Sequence, residues 1–92
     1  DPRGYSMLEL TNIIKARGFD AKGVLMEWSD LPRSGDLPVI AYLRSHHFVV
    51  VLHTYEGNVI YFDPAQGRVV SAAKSQFLSQ WDSSAIVVSL RA

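Results

Sequence analysis

Three histidines, an Asp-Pro pair and a complete absence of cysteine set the chemistry open to this chain of 92 residues. His46 and His47 are adjacent, and neighbours on an extended strand point to opposite faces, so they do not readily share an ion. His47 and His53 fall on one face of a regular strand, but they stand roughly 20 Å apart along it. No other metal-ligand spacing, such as histidines four apart on a helix, is present. A metal site is therefore not expected. Of the ten serines, none sits in a G-x-S-x-G elbow. Most fall at helix starts and turns, where a hydroxyl caps backbone groups. Without cysteine, disulfides, thiolate metal sites and a thiol nucleophile are excluded for these residues.

A His–Asp pair is the remaining idea. His47 opens a strongly apolar strand and Asp63 closes the next, just before Pro64. In an antiparallel hairpin those two positions lie at the same end of the sheet. Such a pair is the base and orienter half of a nucleophile–base–orienter site, the carboxylate holding the imidazole tautomer. The plain reading is also open, since Asp-Pro after a strand is a common turn former. Facing residues of a regular hairpin have a constant index sum. A two-residue Glu56-Gly57 turn therefore sets Asp63 opposite Val50, facing away from His47. A shared face requires an odd loop or a bulge. His46 is read as the non-catalytic neighbour on the other face of the strand.

The elements that must position this pair follow from periodicity. Residues 6–17 read as a helix: Ser6 and Glu9 form a capping box, Met7, Leu10, Ile13 and Ile14 make the apolar stripe, and Gly18 is the stop. Residues 20–28 read as extended, and Ser29-Asp30-Leu31-Pro32 as a capped turn. Strands are expected over 38–43, 47–55 and 58–63, with Glu56-Gly57-Asn58 and Pro64-Ala65-Gln66-Gly67 as turns. A short strand at Val69-Val70, a helix over 72–81 burying Phe77, Leu78 and Trp81, and a strand over 85–90 complete a single α+β domain spanning 1–92.

Nine basic and nine acidic residues cancel and form no run, so the basic patch that phosphate-backbone binding relies on is missing, and nucleic acid is not an expected partner. The longest apolar runs are far too short for a membrane span.

Taken in order, several segments resemble one family, the papain-like cysteine peptidases that process bacteriocins and other peptides by trimming double-glycine leaders. They are Gly4-Tyr5-Ser6-Met7-Leu8, Gly18-Phe19, Leu37-Pro38-Val39-Ile40-Ala41, His47-Phe48-Val49-Val50-Val51, Asp63-Pro64-Ala65-Gln66-Gly67, and Phe77 through Trp81. The opening element is closer to stand-alone bacterial members, some serving secretion of functional amyloid, than to transporter-fused ones. The resemblance implies a papain-like fold whose Cys-helix lobe is absent from this chain, with His47 and Asp63 as the catalytic base and its orienter. It implies a leader-bearing peptide or protein as substrate and a secretion or transporter component as partner. The implied location is periplasmic or inner-membrane associated for a stand-alone member, and cytoplasmic for a transporter-linked one.

In the complete family site a Cys thiolate paired with the histidine attacks the carbonyl after a small-residue pair, in a narrow, mostly apolar cleft, and the resemblance implies no metal or organic cofactor. The family's nucleophile and an oxyanion-binding Gln lie upstream of the Gly-Tyr-Ser element, and neither is in these 92 residues. Three origins compete: an N-terminal lobe precedes Asp1, proteolysis has removed it, or the chain is a degenerate relative that binds leaders without cutting. Retention of both His47 and Asp63 favours the first two. This chain alone is expected to be inactive. It is also expected to have an apolar face, among Val49, Val51, Ile60 and the first helix, that a dimer or a separate N-terminal chain would cover.

Overall fold

The structure is a computed structural model and describes residues 5–90, so Gly4 of the opening element lies outside the described residues. The chain runs α1 (Met7–Ala16), β1 (Phe19–Leu25), a single 3-10 turn (Trp28–Asp30), β2 (Val39–Leu43), β3 (His47–Tyr55), β4 (Asn58–Asp63), β5 (Arg68–Ala73), α2 (Lys74–Gln80) and β6 (Trp81–Leu90). The six strands form one sheet in the order β1-β6-β2-β3-β4-β5. Every pairing is antiparallel.

The first helix starts where its cap dictates. Ser6 Oγ accepts from the Glu9 N–H at 3.1 Å, and Glu9 Oε1 accepts from the Ser6 N–H at 2.9 Å. This satisfies two of the donors that a helix start leaves orphaned. Of its apolar stripe, Leu10 is buried and Met7 and Ile14 pack beside it, while Ile13 stays exposed.

The sheet has two unlike faces. One carries the main core: Val39, Ala41 and Leu43 of β2, Val49 and Val51 of β3, Val59, Ala72, Trp81 and Ala85, closed over by Leu31 and Phe77. Alternate residues of β2 and β3 supply it, as a strand period of two requires. Phe77 of α2 stacks at 5.4 Å from Trp81, 5.9 Å from Tyr61 and 6.4 Å from Trp28, ring centre to ring centre. The other face holds a smaller cluster, in which Leu10 of α1 meets Ala21 and Ile86. Val49 and Val51, expected to lie on an uncovered face, are instead completely buried in the main core.

Two element boundaries differ from the periodicity reading. Ala72 and Ala73 pair with Val59 and Asn58 as the end of β5, and Trp81 pairs with Leu43 as the start of β6, so the second helix is only Lys74–Gln80. Small residues and a tryptophan fit both periods, and here the sheet ladder takes them. Leu78, expected on the buried face, is exposed.

Candidate active site

The β3–β4 hairpin turns through Glu56 and Gly57, both with positive φ (48° and 77°), as a two-residue turn matching strand twist requires. At the turn the register is regular, pairing Tyr55 with Asn58, Thr54 with Val59 and His53 with Ile60. It then shifts, and Val51 pairs with Tyr61 and Val50 with Phe62. Leu52 is the extra residue, a bulge on β3. Continued toward the open end, the shifted register sets Asp63 level with Val49, two residues from His47 and on the same face. The bulge therefore supplies the parity change that the short turn denies.

The two side chains meet. His47 Nε2 lies 2.9 Å from Asp63 Oδ1. The His47 side chain is 31% exposed and that of Asp63 only 7%. Asp63 is held on both oxygens: Oδ1 also accepts from the Ala65 N–H at 2.9 Å, and Oδ2 accepts from Gln66 Nε2 at 2.7 Å. Burial alone pushes this carboxyl up. The Gln66 amide, the Ala65 N–H, the neighbouring His47 and the Gln66 N–H outweigh it, and the net direction is below the usual aspartate value. The carboxylate is thus the stable form. Burial, with Asp63 nearby, pushes the Tyr61 hydroxyl up. With Nε2 held by Asp63, Nδ1 is the ring nitrogen left to exchange a proton with a nucleophile. Leu43 pairs with His47 on one side and with Trp81 on the other, so an aromatic–aliphatic floor runs beside the imidazole.

The other two histidines stand apart from this pair. His46 is not on the strand at all. It sits in the β2–β3 turn with φ of 61°, exposed, its Nδ1 3.2 Å from the Tyr42 hydroxyl. The turn, rather than alternation along a strand, separates it from His47. His53 does not share a face with His47 as a regular strand requires, because the Leu52 bulge lies between them and turns His53 to the opposite face with Ile60. Sequence reasoning missed Gln66 and the Ala65 N–H. The signal was present in Asp63-Pro64-Ala65-Gln66-Gly67, since an Asp opening a tight turn accepts from the amide two residues on.

The family profile of the Peptidase C39 family matches residues 1–92, the whole chain. The chain belongs to the Peptidase C39 family. It is 36% identical over 69 residues to an uncharacterized protein of Methanothermobacter marburgensis, a match covering 75% of this chain and 48% of that protein. The chain therefore spans about half the length of the curated relative it matches.

Among solved structures, it is similar to a double glycine motif protease from an AMS/PCAT transporter in complex with the leader peptide. That match has a TM-score of 0.83 and 23% identity, and covers 99% of this chain and 64% of that one. It is similar also to the peptidase domain of Streptococcus mutans ComA, with a TM-score of 0.84 and 22% identity, covering 97% and 78%. At these identities the likeness shows the fold. This C39 chain has the mostly antiparallel sheet of those peptidase domains, flanked by two helices. No helix among the described residues is long and apolar enough to cross a membrane.

Proposed function

We propose that this C39 chain supplies the base and orienter of a cysteine peptidase that cuts after the double-glycine-type site of a leader peptide. The nucleophilic thiol comes from a segment outside these 92 residues. The observation that carries the reading is the 2.9 Å contact between half-exposed His47 and buried Asp63, made possible by a bulge. An oriented, partly exposed imidazole whose Nδ1 is left to exchange a proton is what a thiol needs. The base forms an ion pair with the thiolate, lowering its pKa, and later protonates the leaving amine. Family membership, and the leader peptide bound to one structural neighbour, support a leader-bearing substrate. Neighbours that are transporter domains support a transporter or secretion component as partner.

The test is cleavage of a Gly-Gly leader substrate followed by mass spectrometry, using the gene product that carries these residues together with its upstream segment. His47→Ala abolishes cleavage and His46→Ala retains it. The 92-residue chain alone yields no product. Cleavage that survives His47→Ala, or product from the isolated chain, sinks the proposal.

A second reading has one observation in its favour, the absence of cysteine from the chain. On that reading the domain holds a leader peptide without cutting it, by strand addition or in the same cleft. A gene product that lacks an upstream cysteine and binds the leader uncut moves this reading ahead.

A further inference from the structure

The turn that follows Asp63 is closed without any side chain beyond Asp63 itself. The Gly67 N–H donates to the Asp63 carbonyl at 2.8 Å, the Gln66 N–H to the same carbonyl at 3.2 Å, and the Ala65 N–H to Oδ1. Gly67 has φ of 66° and so reverses the chain without strain. Yet the side chain of Gln66, although the residue is exposed, folds back onto the turn. Its Nε2 donates to Asp63 Oδ2 at 2.7 Å, and its Oε1 accepts from Arg68 Nε at 3.1 Å. A four-member chain results, from Arg68 through Gln66 and Asp63 to His47.

The direction of each bond is fixed by chemistry. Arginine can only donate, so the end of Gln66 facing it is the carbonyl oxygen, and the end facing Asp63 is the amide donor. A carboxylate sheltered from water loses stability when one oxygen lacks a partner. A carboxylate held on Oδ2 cannot rotate Oδ1 away from His47.

We propose that Gln66 is a positioning residue for the His47–Asp63 pair: its amide, polarised by Arg68, pins Oδ2 so that Oδ1 stays on His47 Nε2. The inference rests on the reading of His47 and Asp63 as base and orienter, and extends it to the residue that fixes their geometry. A residue that only formed the turn would leave the imidazole indifferent to its replacement. The groups facing the carboxylate that bear on its titration are His47, with Tyr61 of β4 nearby.

The test uses the isotope-labelled 92-residue chain and needs no turnover. Magnetic resonance follows two signals: solvent exchange of the His47 Nε2 proton, and titration of the Asp63 carboxyl carbon. Gln66→Met keeps the side-chain length and removes both hydrogen bonds. It is expected to speed Nε2 proton exchange about tenfold, as loss of one bond to a charged group implies, and to move the Asp63 titration to higher pH, with His46 unmoved. Gln66→Lys keeps a donor for Oδ2 and retains the protection. Gln66→Glu, an acceptor facing a carboxylate, loses it. Unchanged exchange and titration in a folded Gln66→Met chain overturn the inference. If that variant does not fold, equal protection in the Lys and Glu variants overturns it. An unprotected His47 Nε2 proton in the parent chain sinks the base–orienter reading itself, a separate result.

Discussion

His46 and His47 are chemically identical neighbours, and only their backbones assign them different work. One is the left-handed residue of a turn, with its ring on the Tyr42 hydroxyl; the other opens β3, with its ring on Asp63. The sequence points to the histidine that meets Asp63, because Phe48 to Leu52 is an unmistakable strand and His47 stands at its mouth. Gln66 escapes such a reading, since a glutamine in a turn has no required partner until the turn's shape is known. The carboxylate at the centre makes a prediction about pH. Asp63 titrates lower in the folded chain than the ordinary aspartate value, which is about 3.9 in an unfolded chain. In the window between the two values the unfolded state binds more protons, so stability rises with pH there. The contribution is complete above the unfolded value and is lost as pH falls through the folded one. Denaturant unfolding measured from pH 6 down to pH 2 is expected to show this acid limb, and Asp63→Asn is expected to flatten it. An identical acid limb in the Asn variant would mean that other carboxylates carry it.

Most elements were legible because their signals are local. The capping box of α1 and the paired runs of β3 and β4 appear where periodicity puts them. The ends of α2 were not legible, because Ala72, Ala73 and Trp81 are claimed by strand partners distant in sequence. The bulge is the instructive intermediate case. Index parity showed that the hairpin needed an odd loop or an extra residue if His47 and Asp63 were to share a face, but gave no way to choose between them. The structure places that residue at Leu52. Deleting Leu52 removes the bulged residue itself, so a regular hairpin still pairs Val51 with Tyr61 and Val50 with Phe62 and keeps Asp63 on the face of His47. The expected result is a His47–Asp63 contact retained on a bulge-free hairpin, read as retained Nε2 proton protection. Loss of that protection in a folded deletion variant would show that the local geometry of the bulge, rather than the register, joins the pair.

At the scale of the whole molecule the sheet is covered unevenly, and a single row of paired residues shows it. Gly23, Ile86, Ile40, Val50, Phe62 and Val69 follow one another across all six strands, each paired with the next. Under α1 the row is closed: the Met7 methyl carbon lies 3.4 Å from where a side chain on Gly23 would begin, and Ile86 is fully buried. Beyond β6 the helix runs out. Ile40, Val50 and Phe62 are half-buried, and Val69 is 56% exposed. An apolar strip is therefore left open, but not on the face expected: it lies away from His47 and carries the even-numbered residues of β3, whereas Val49 and Val51 on the His47 side are closed over by α2 and Leu31. Ile60, expected beside Val49 and Val51, is half-buried and paired with His53 on this open side, away from His47. A contiguous apolar strip of this kind is seldom left in water by a monomer, and the identical strip on a second copy is the complement always present in solution. The isolated chain is accordingly expected to run above its 10.3 kDa monomer mass at low micromolar concentration in light scattering. Val50→Ser with Phe62→Ser changes side chains in the middle of the row and leaves the main core untouched. It is expected to shift the distribution toward monomer while His47 stays paired with Asp63. A parent chain that is strictly monomeric across that concentration range would mean that the half-buried row tolerates water as it stands, and that nothing need cover it.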